Sequence, residues 1–233
     1  MIKKLLRKIR WAVNRKIEGP SEYFASFSTE PLSNKFGFDR GTPTDRYYIE
    51  KFVMSCKELI KGDCLEVQAP LYLSKLDNNN IRSKTILDIV ENNKDATLIG
   101  DMRNLSNVAD NSYDTLIVTQ TFHLIDDLNS AIKECYRILR KGGVLIATFP
   151  ALSRIDPDSG EDNDNWRLTP AGCKTMFGTY FGKENTEITP FGNALAGWAW
   201  WIGLAQEELP STTLLDKYDP MFPVSSGIKA FKR

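Results

Sequence analysis

An acidic residue lies at or just beyond the end of each of three strand-like segments of this chain. Glu66 lies near the end of 64–67, Asp88 near the end of 83–89, and Asp101 follows 96–99. In an open parallel sheet, ligands bind at the carboxyl ends of the strands, around the point where the strand order reverses. Carboxylates there accept hydrogen bonds from the hydroxyl and amino groups of a ligand. The spacing therefore predicts a ligand site at one edge of a sheet.

A second polar group follows the buried strand-like run 113–118, and it consists of Gln120, Thr121 and His123. His123 is the only histidine, so any arrangement that needs two histidines is excluded. It is suited to act as a base, as a substrate hydrogen-bond donor, or as a half-buried polar residue. No metal site or disulfide framework is predicted, because the four cysteines are widely spaced: Cys56, Cys64, Cys135 and Cys173.

The elements that position these residues follow an α/β order. Residues 113–149 pattern as a βαβ unit, with a strand, a helix, a glycine stop at Gly142 and a second strand at 144–149. Four apolar residues share one face of that helix: Leu128, Ile132, Cys135 and Leu139. Further helices are predicted at 47–59, from Thr169-Pro170 and at 194–209, with late strands at 187–189 and 224–231. At 233 residues, one α/β domain with a short appendage is the economical interpretation.

Several motifs carry a family resemblance. YDTLIV at 113–118, FHLI at 122–125 and RILRKGGVL at 137–145 resemble the second half of a class I S-adenosylmethionine-dependent methyltransferase. FGFDRGTPTDRYYIE at 36–50 and WRLTP at 166–170 resemble a bacterial branch associated with polysaccharide and glycosyltransferase systems. The resemblance implies a Rossmann-like sandwich, with a mostly parallel seven-stranded sheet and helices on both faces.

The resemblance also implies roles for the polar residues. Glu66 would lie near the ammonium group of S-adenosylmethionine, Asp88 would bind the ribose hydroxyls, and Asp101 the adenine amino group. Met102 would pack on adenine, and His123 is the candidate catalytic residue. The implied reaction is methyl transfer to a hydroxyl of a glycan or glycan precursor. The complete cofactor-binding set is Glu66, Gln68, Asp88, Asp101, Met102 and Gln120.

One segment departs from the family pattern. Methyltransferases of this class have a glycine-rich turn after the first strand, where missing side chains let the backbone approach the cofactor. This chain has Gln68-Ala69-Pro70, and proline removes an N–H donor and fixes φ. A catalytically silent scaffold that binds a glycosyltransferase or membrane partner therefore stays open as an alternative. A P-loop is absent from the sequence, and so is a Gly-x-Gly-x-x-Gly motif.

The segment before the first domain helix is dense in charges and aromatic rings. Arg40, Arg46 and Tyr47 are expected to close over the cofactor pocket and to shape the acceptor site, together with Trp166. The alternative is an Arg/Asp network that braces the first helix. The predicted organisation is a basic helix at 1–18, a lead-in or lid at 19–45 and a methyltransferase-like domain at 46–233.

The N-terminal stretch is basic and amphipathic. Residues 1–16 hold seven bases and no acid, which leaves 23 bases against 30 acids in the rest of the chain. One face is apolar, with Trp11 suited to a membrane interface: Ile2, Leu5, Leu6, Ile9, Val13 and Ile17. Residues 1–17 could lie on an anionic membrane, or pack on the acidic body or on a partner. A cytoplasmic body, peripheral at the inner membrane face, is expected, with no nucleic-acid partner.

Overall fold

Seven strands form one sheet in the computed structural model, which describes residues 2–17, 28–76 and 80–233. The strands are β1 (Gly62–Val67), β2 (Ile81–Asp88), β3 (Leu98–Ile99), β4 (Tyr113–Thr119), β5 (Leu139–Pro150), β6 (Thr186–Phe191) and β7 (Ser225–Phe231). The α-helices are α1 (Ile2–Ile17), α2 (Thr44–Ser55), α3 (Leu128–Ile138), α4 (Pro170–Phe181) and α5 (Ala194–Ile202). Single 3₁₀ turns lie between several of these elements.

The strand order across the sheet is β3-β2-β1-β4-β5-β7-β6. Strands β3, β2, β1, β4 and β5 pair in parallel, and β7 pairs antiparallel with β5. Such parallel sheets need both faces covered, and their central strands are accordingly apolar. The predicted α/β class, with a mostly parallel seven-stranded sheet, is confirmed.

Helices cover both faces of the sheet, as alternate residues of β7 reveal. Ile228 and Ala230 belong to the apolar cluster that contains the buried faces of α3 and α4. Position 227 faces the other side of the sheet, because a Cβ built on Gly227 would meet the ring of Phe52 in α2. Side chains of successive strand residues alternate between faces, so Phe52 lies on the face opposite α3 and α4.

The βαβ unit forms as its sequence predicts, with one correction. Asp127 caps α3 by accepting a hydrogen bond from the Ser130 N–H at 3.0 Å. The helix ends at Ile138, and Leu139 is already extended. Gly142 is therefore not the helix stop but lies within β5, at φ +79, where its N–H donates to the Lys232 carbonyl. The left-handed conformation explains a glycine at this position.

Two other predicted helices have different ends in the structure. The helix predicted at 47–59 spans Thr44–Ser55 and gives way to a 3₁₀ turn, Lys57–Leu59. The apolar helix predicted at 194–209 stops at Ile202, because Gly203 takes a left-handed φ of +77 and caps it. In the described residues, the β1–β2 and β2–β3 connections carry no helix.

Packing divides the chain into two compact units. One unit holds Met1–Glu50, Leu152–Arg154 and Phe191–Val224, and the other holds the remaining segments, with most of the sheet. Within the described part of the chain, the four cysteines are buried and free, and no helix is long and apolar enough to cross a membrane.

A cluster of ion pairs ties together the amino-terminal ends of four strands. The Asp114 carboxylate accepts the Asp63 N–H at 2.8 Å and pairs with Arg140 at 2.6 Å. Arg82 reaches both carboxylates, and Arg140 also lies 2.9 Å from Asp63. Hydrogen bonds from Arg82 and Ser83 hold the pKa of Asp63 well below its usual range. Asp114 is thus a structural acid at the edge opposite the predicted ligand site.

The packing at Gly227 provides a direct test of the fold. Gly227→Ala should lower the free energy of unfolding by about 1–3 kcal/mol, because the new methyl group overlaps the Phe52 ring and forces helix and strand apart. Urea unfolding measures the change. The matched control is Gly172→Ala in α4, where a Cβ meets only ordinary contacts at 3.5 Å and better helix propensity should leave stability equal or higher. Equal losses in both variants would contradict the packing.

Candidate functional site

The sheet reverses its strand order between β1 and β4. From this central pair the chain runs outward through β2 in one direction and through β5 in the other. The first residues beyond the two central strands are Gln68 and Gln120, with φ values of +74 and +48. Left-handed backbone at a residue other than glycine costs about 1–3 kcal/mol and concentrates at functional sites. The two strained glutamines therefore mark the carboxyl edge of this pair as the candidate site.

The backbone after β1 is tied to the end of β2. The Gln68 N–H donates to the Leu87 carbonyl at 2.7 Å, and the Gln68 carbonyl accepts from Asn93 Nδ2 at 2.6 Å. Asn93 Nδ2 also donates to Asp88 Oδ2 at 2.5 Å, while the Val90 N–H donates to Asp88 Oδ1 at 3.0 Å. These contacts fix the orientation of the Asp88 carboxylate. Each of its oxygens keeps a second lone pair for a ligand hydroxyl.

Glu66 is directed at the connection that follows β1. Its two carboxylate oxygens accept the N–H groups of Tyr72 and Leu73 at 2.9 and 2.8 Å. The side chain is buried, and burial raises the pKa of the Glu66 carboxyl, although the two backbone hydrogen bonds oppose that shift. Because the carboxylate supplies acceptors to a turn that lacks glycine, its clearest role here is to brace that turn.

Asp101 has a strong partner of its own. The Arg103 guanidinium donates to both of its oxygens, with the shortest contact at 2.6 Å, and reaches Asp126 at 2.8 Å. These hydrogen bonds lower the pKa of Asp101. Met102 is 7% exposed and packs in the apolar core, so it offers a ligand little surface.

Two apolar residues at this edge escaped sequence reasoning. Ile89 and Val90 directly follow Asp88 and are 62% and 54% exposed. They present an open apolar surface beside a carboxylate, which suits a flat heterocycle whose ribose is held next to it. The sequence pattern that indicates this surface is a pair of apolar β-branched residues directly after the acidic residue that ends a strand.

Unpartnered polar atoms lie beyond β4. The Gln120 N–H is shared between the carbonyl and the hydroxyl of Thr148, at 3.3 and 3.1 Å. Gln120 Nε2 and His123 Nδ1 are buried, and neither has a hydrogen-bond partner among the residues that the structure describes. Burying an unpaired polar atom is costly, so such atoms need an explanation. A ligand that supplies an acceptor to Gln120 and a donor to His123 would satisfy both.

The surroundings of His123 keep its ring neutral. Burial lowers the pKa of His123 to about 4, an effect that Asp164 opposes and Arg167 reinforces. The His123 carbonyl accepts the N–H groups of Asn165 and Trp166 at 2.8 and 3.1 Å. Trp166 is further held by a 2.9 Å hydrogen bond from its indole to the Ile125 carbonyl, with its ring partly exposed. Trp166 is thus fixed beside the His123 turn.

The predicted lid residues have partners within their own unit. Arg40 is buried and paired with Glu208 at 2.6 Å, with side-chain exposures of 4% and 2%. Tyr47 donates its hydroxyl to Asp216 at 2.7 Å. The Arg46 guanidinium lies over the Phe38 ring, 5.9 Å from its centroid. These contacts support the alternative of a bracing network, and closure over the ligand site stays a prediction.

Comparisons with known proteins agree with this architecture. A family described as a methyltransferase domain matches residues 72–147. The match begins after β1 and Gln68 and ends within β5, so it includes Asp88, Asp101 and Gln120 but not Glu66 or Gln68. No curated protein matches the chain.

Solved structures share the fold at low sequence identity. An S-adenosylmethionine-dependent methyltransferase from Archaeoglobus fulgidus is 13% identical, with a TM-score of 0.53 and coverage of 81% of this chain and 93% of that one. A Thermotoga maritima S-adenosylmethionine-dependent methyltransferase, named a possible histamine N-methyltransferase, is 16% identical, with a TM-score of 0.50 and coverage of 81% and 94%. The fold is therefore the Rossmann-like fold of class I methyltransferases.

The strain at Gln68 can be measured. Gln68→Gly should raise the free energy of unfolding by about 0.5–2 kcal/mol, because relief of left-handed strain exceeds the added entropy of the unfolded chain. Gln68→Ala is the matched control, since it removes the same side chain but keeps a Cβ at φ +74. Urea unfolding of the three proteins decides the matter. A glycine variant no more stable than the alanine variant would contradict the strain.

The buried His123 predicts a pH dependence. Its folded-state pKa of about 4 lies below the unfolded value, so the unfolded chain binds a proton first as the pH falls from 7. His123 should therefore cost the protein about 2 kcal/mol of stability between pH 7 and pH 5. His123→Asn removes the titrating ring. Between pH 7 and pH 5, urea unfolding should therefore show that this variant loses about 2 kcal/mol less stability than wild type. Identical losses in both proteins would show that the ring is not buried.

Proposed function

We propose that this protein transfers a methyl group from S-adenosylmethionine to an acceptor hydroxyl. The observation that carries the proposal is the pair of left-handed glutamines at the switch point, Gln68 and Gln120, together with the buried, unpartnered Nε2 of Gln120. Left-handed strain and unpaired buried polar atoms concentrate at functional sites, and Gln120 has both. The match of residues 72–147 to a methyltransferase domain supports this ligand rather than a nucleotide cofactor.

The residues present fit the proposed cofactor. Asp88, oriented by Asn93 and Val90, would hold the ribose hydroxyls, and the exposed Ile89 and Val90 would lie against adenine. Gln120 Nε2 would donate to the carboxylate of the methionine part. When bound, S-adenosylmethionine supplies a methyl group activated by the positive charge on sulfur. The rest of the catalysis is positioning and exclusion of water.

His123 would act on the acceptor. Because its pKa is about 4, the ring is neutral at pH 7 and Nδ1 can accept a hydrogen bond. Its buried, unpartnered Nδ1 would accept a hydrogen bond from the acceptor hydroxyl and orient the oxygen, and it would take the proton as the new carbon–oxygen bond forms and that proton becomes strongly acidic. A glycan or glycan-precursor hydroxyl is the proposed acceptor. Its support is the resemblance of segments 36–50 and 166–170 to the polysaccharide-associated branch, together with the partly exposed, fixed Trp166 ring.

A silent scaffold is the second candidate, and a specific observation favours it. Two of the carboxylates expected to bind cofactor are engaged within the chain, Glu66 by backbone N–H groups and Asp101 by Arg103. In that case the chain would serve a glycosyltransferase or membrane partner and would bind S-adenosylmethionine weakly or not at all. Cofactor titration separates the two functions.

Calorimetric titration with S-adenosylmethionine tests the proposal. Wild type should bind, and Asp88→Ala should bind about 5–100-fold more weakly, because a buried donor of the ribose loses its acceptor. Asp101→Ala should have a smaller effect, since Arg103 already occupies that carboxylate. Glu58→Gln is the matched control, because its side chain is 83% exposed and should leave binding unchanged.

The titration results separate an error in the proposed function from an error in the proposed ribose site. Absence of binding by wild type at millimolar cofactor would favour the scaffold. Binding that is unaffected by Asp88→Ala would retain the cofactor but reject the proposed ribose site. Methyl transfer from labelled cofactor to polysaccharide precursors then tests the acceptor, and loss of transfer in His123→Asn with cofactor binding retained would support its role as base.

A further inference from the structure

Helix α1 is attached to its unit through one side only. The Trp11 indole donates to the Phe38 carbonyl at 3.0 Å, and Asn14 Nδ2 donates to the Asp39 carbonyl at 2.8 Å. Arg40 returns a hydrogen bond to the Asn14 carbonyl at 3.4 Å. Trp11 was expected at a membrane interface, but the structure turns it toward the protein. The attached side of the helix is therefore its polar side with Trp11.

The apolar stripe of α1 faces away from this attachment. Ile9 and Trp11 are two residues apart, which separates them by about 200° around a helix. The stripe consists of residues that are each 48–60% exposed: Leu5, Leu6, Ile9 and Val13. A soluble chain rarely leaves so continuous an apolar surface uncovered without a partner.

The charge around this stripe selects one kind of partner. The sequence of α1 contains seven bases and no acid. Lys8 and Arg10 are exposed and flank the stripe at helical spacing, where their charged ends can reach anionic headgroups while Ile9 enters the apolar layer. Each base near an anionic surface strengthens the attraction to it. A protein groove would have to be both apolar and strongly acidic to match.

We infer that the outer face of α1 is a binding surface for anionic lipid bilayers. The helix lies in the plane of the interface, with Leu5, Leu6, Ile9 and Val13 inserted between headgroups and the cations beside them. Because Trp11 and Asn14 fix the opposite side to the segment at Phe38 and Asp39, binding also orients that unit against the membrane. The inference does not depend on methyltransferase activity.

Co-sedimentation with vesicles tests this surface in the full chain. Vesicles of phosphatidylcholine with 30% phosphatidylglycerol should bind at least tenfold more protein than vesicles of phosphatidylcholine alone. Ile9→Asp should abolish binding by placing a charge in the stripe, and Arg10→Glu should weaken it several-fold. Salt at 0.5 M should weaken wild-type binding, because exposed charges are then screened.

A matched control separates the helix from net charge. Lys57→Glu makes the same kind of charge change at a side chain that is 64% exposed outside α1, and it should bind like wild type. Circular dichroism of each variant verifies that the fold is retained. Equal binding to both vesicle types, or none, would overturn the inference. So would a wild-type dimer that Ile9→Asp converts to monomer without any vesicle binding, since a second copy would then cover the stripe.

Discussion

The parallel pairing of β1 with β4 is the constraint on which the rest of the structure depends. Leu65 opposite Leu116 and Glu66 opposite Ile117 set the register, and all four residues are buried. The chain leaves β1 toward one edge of the sheet and β4 toward the other, and ligands of such sheets bind where the chain diverges in this way. Everything assigned to ligand binding lies at the carboxyl ends of this pair or of its flanking strands. The ion pairs of Asp63 and Asp114 hold the opposite edge and keep the pair in register.

The turn after β1 illustrates how a different sequence meets the same geometric demand. A backbone that must reverse tightly there needs a positive φ, which glycine adopts without steric strain. Here Gln68 adopts it, and Glu66 compensates by accepting two backbone hydrogen bonds from the same connection. The carboxylate that sequence reasoning assigned to cofactor thus has a task imposed by the missing glycines.

Much of the fold was predictable, because it rests on periodicity. The apolar runs of β4 and β5, the amphipathic α3 and the acids at strand ends all follow from local patterns. The sequence predicted where the candidate site lies, at the carboxyl ends of the strands, but not the backbone conformations and side-chain pairs within it. No propensity identifies Gln68 and Gln120 as left-handed, and the pairing of Asp101 with Arg103 depends on a turn that brings i and i+2 side chains together. The same limit applies to Trp11, whose partner Phe38 lies 27 residues away.

The described residues of the β1–β2 and β2–β3 connections form no helix, and this affects local stability. Strand β3 has two residues, and no helix follows β2 before β3. Few buried contacts hold this edge, so its amide protons should exchange by local opening well below the free energy of global unfolding. The edge contains Asp88, and any ligand held there closes the opening by mass action. Hydrogen exchange in β3 and at the carboxyl end of β2 should therefore respond to a bound ligand, while the ion-paired amino-terminal ends of the strands should exchange as before.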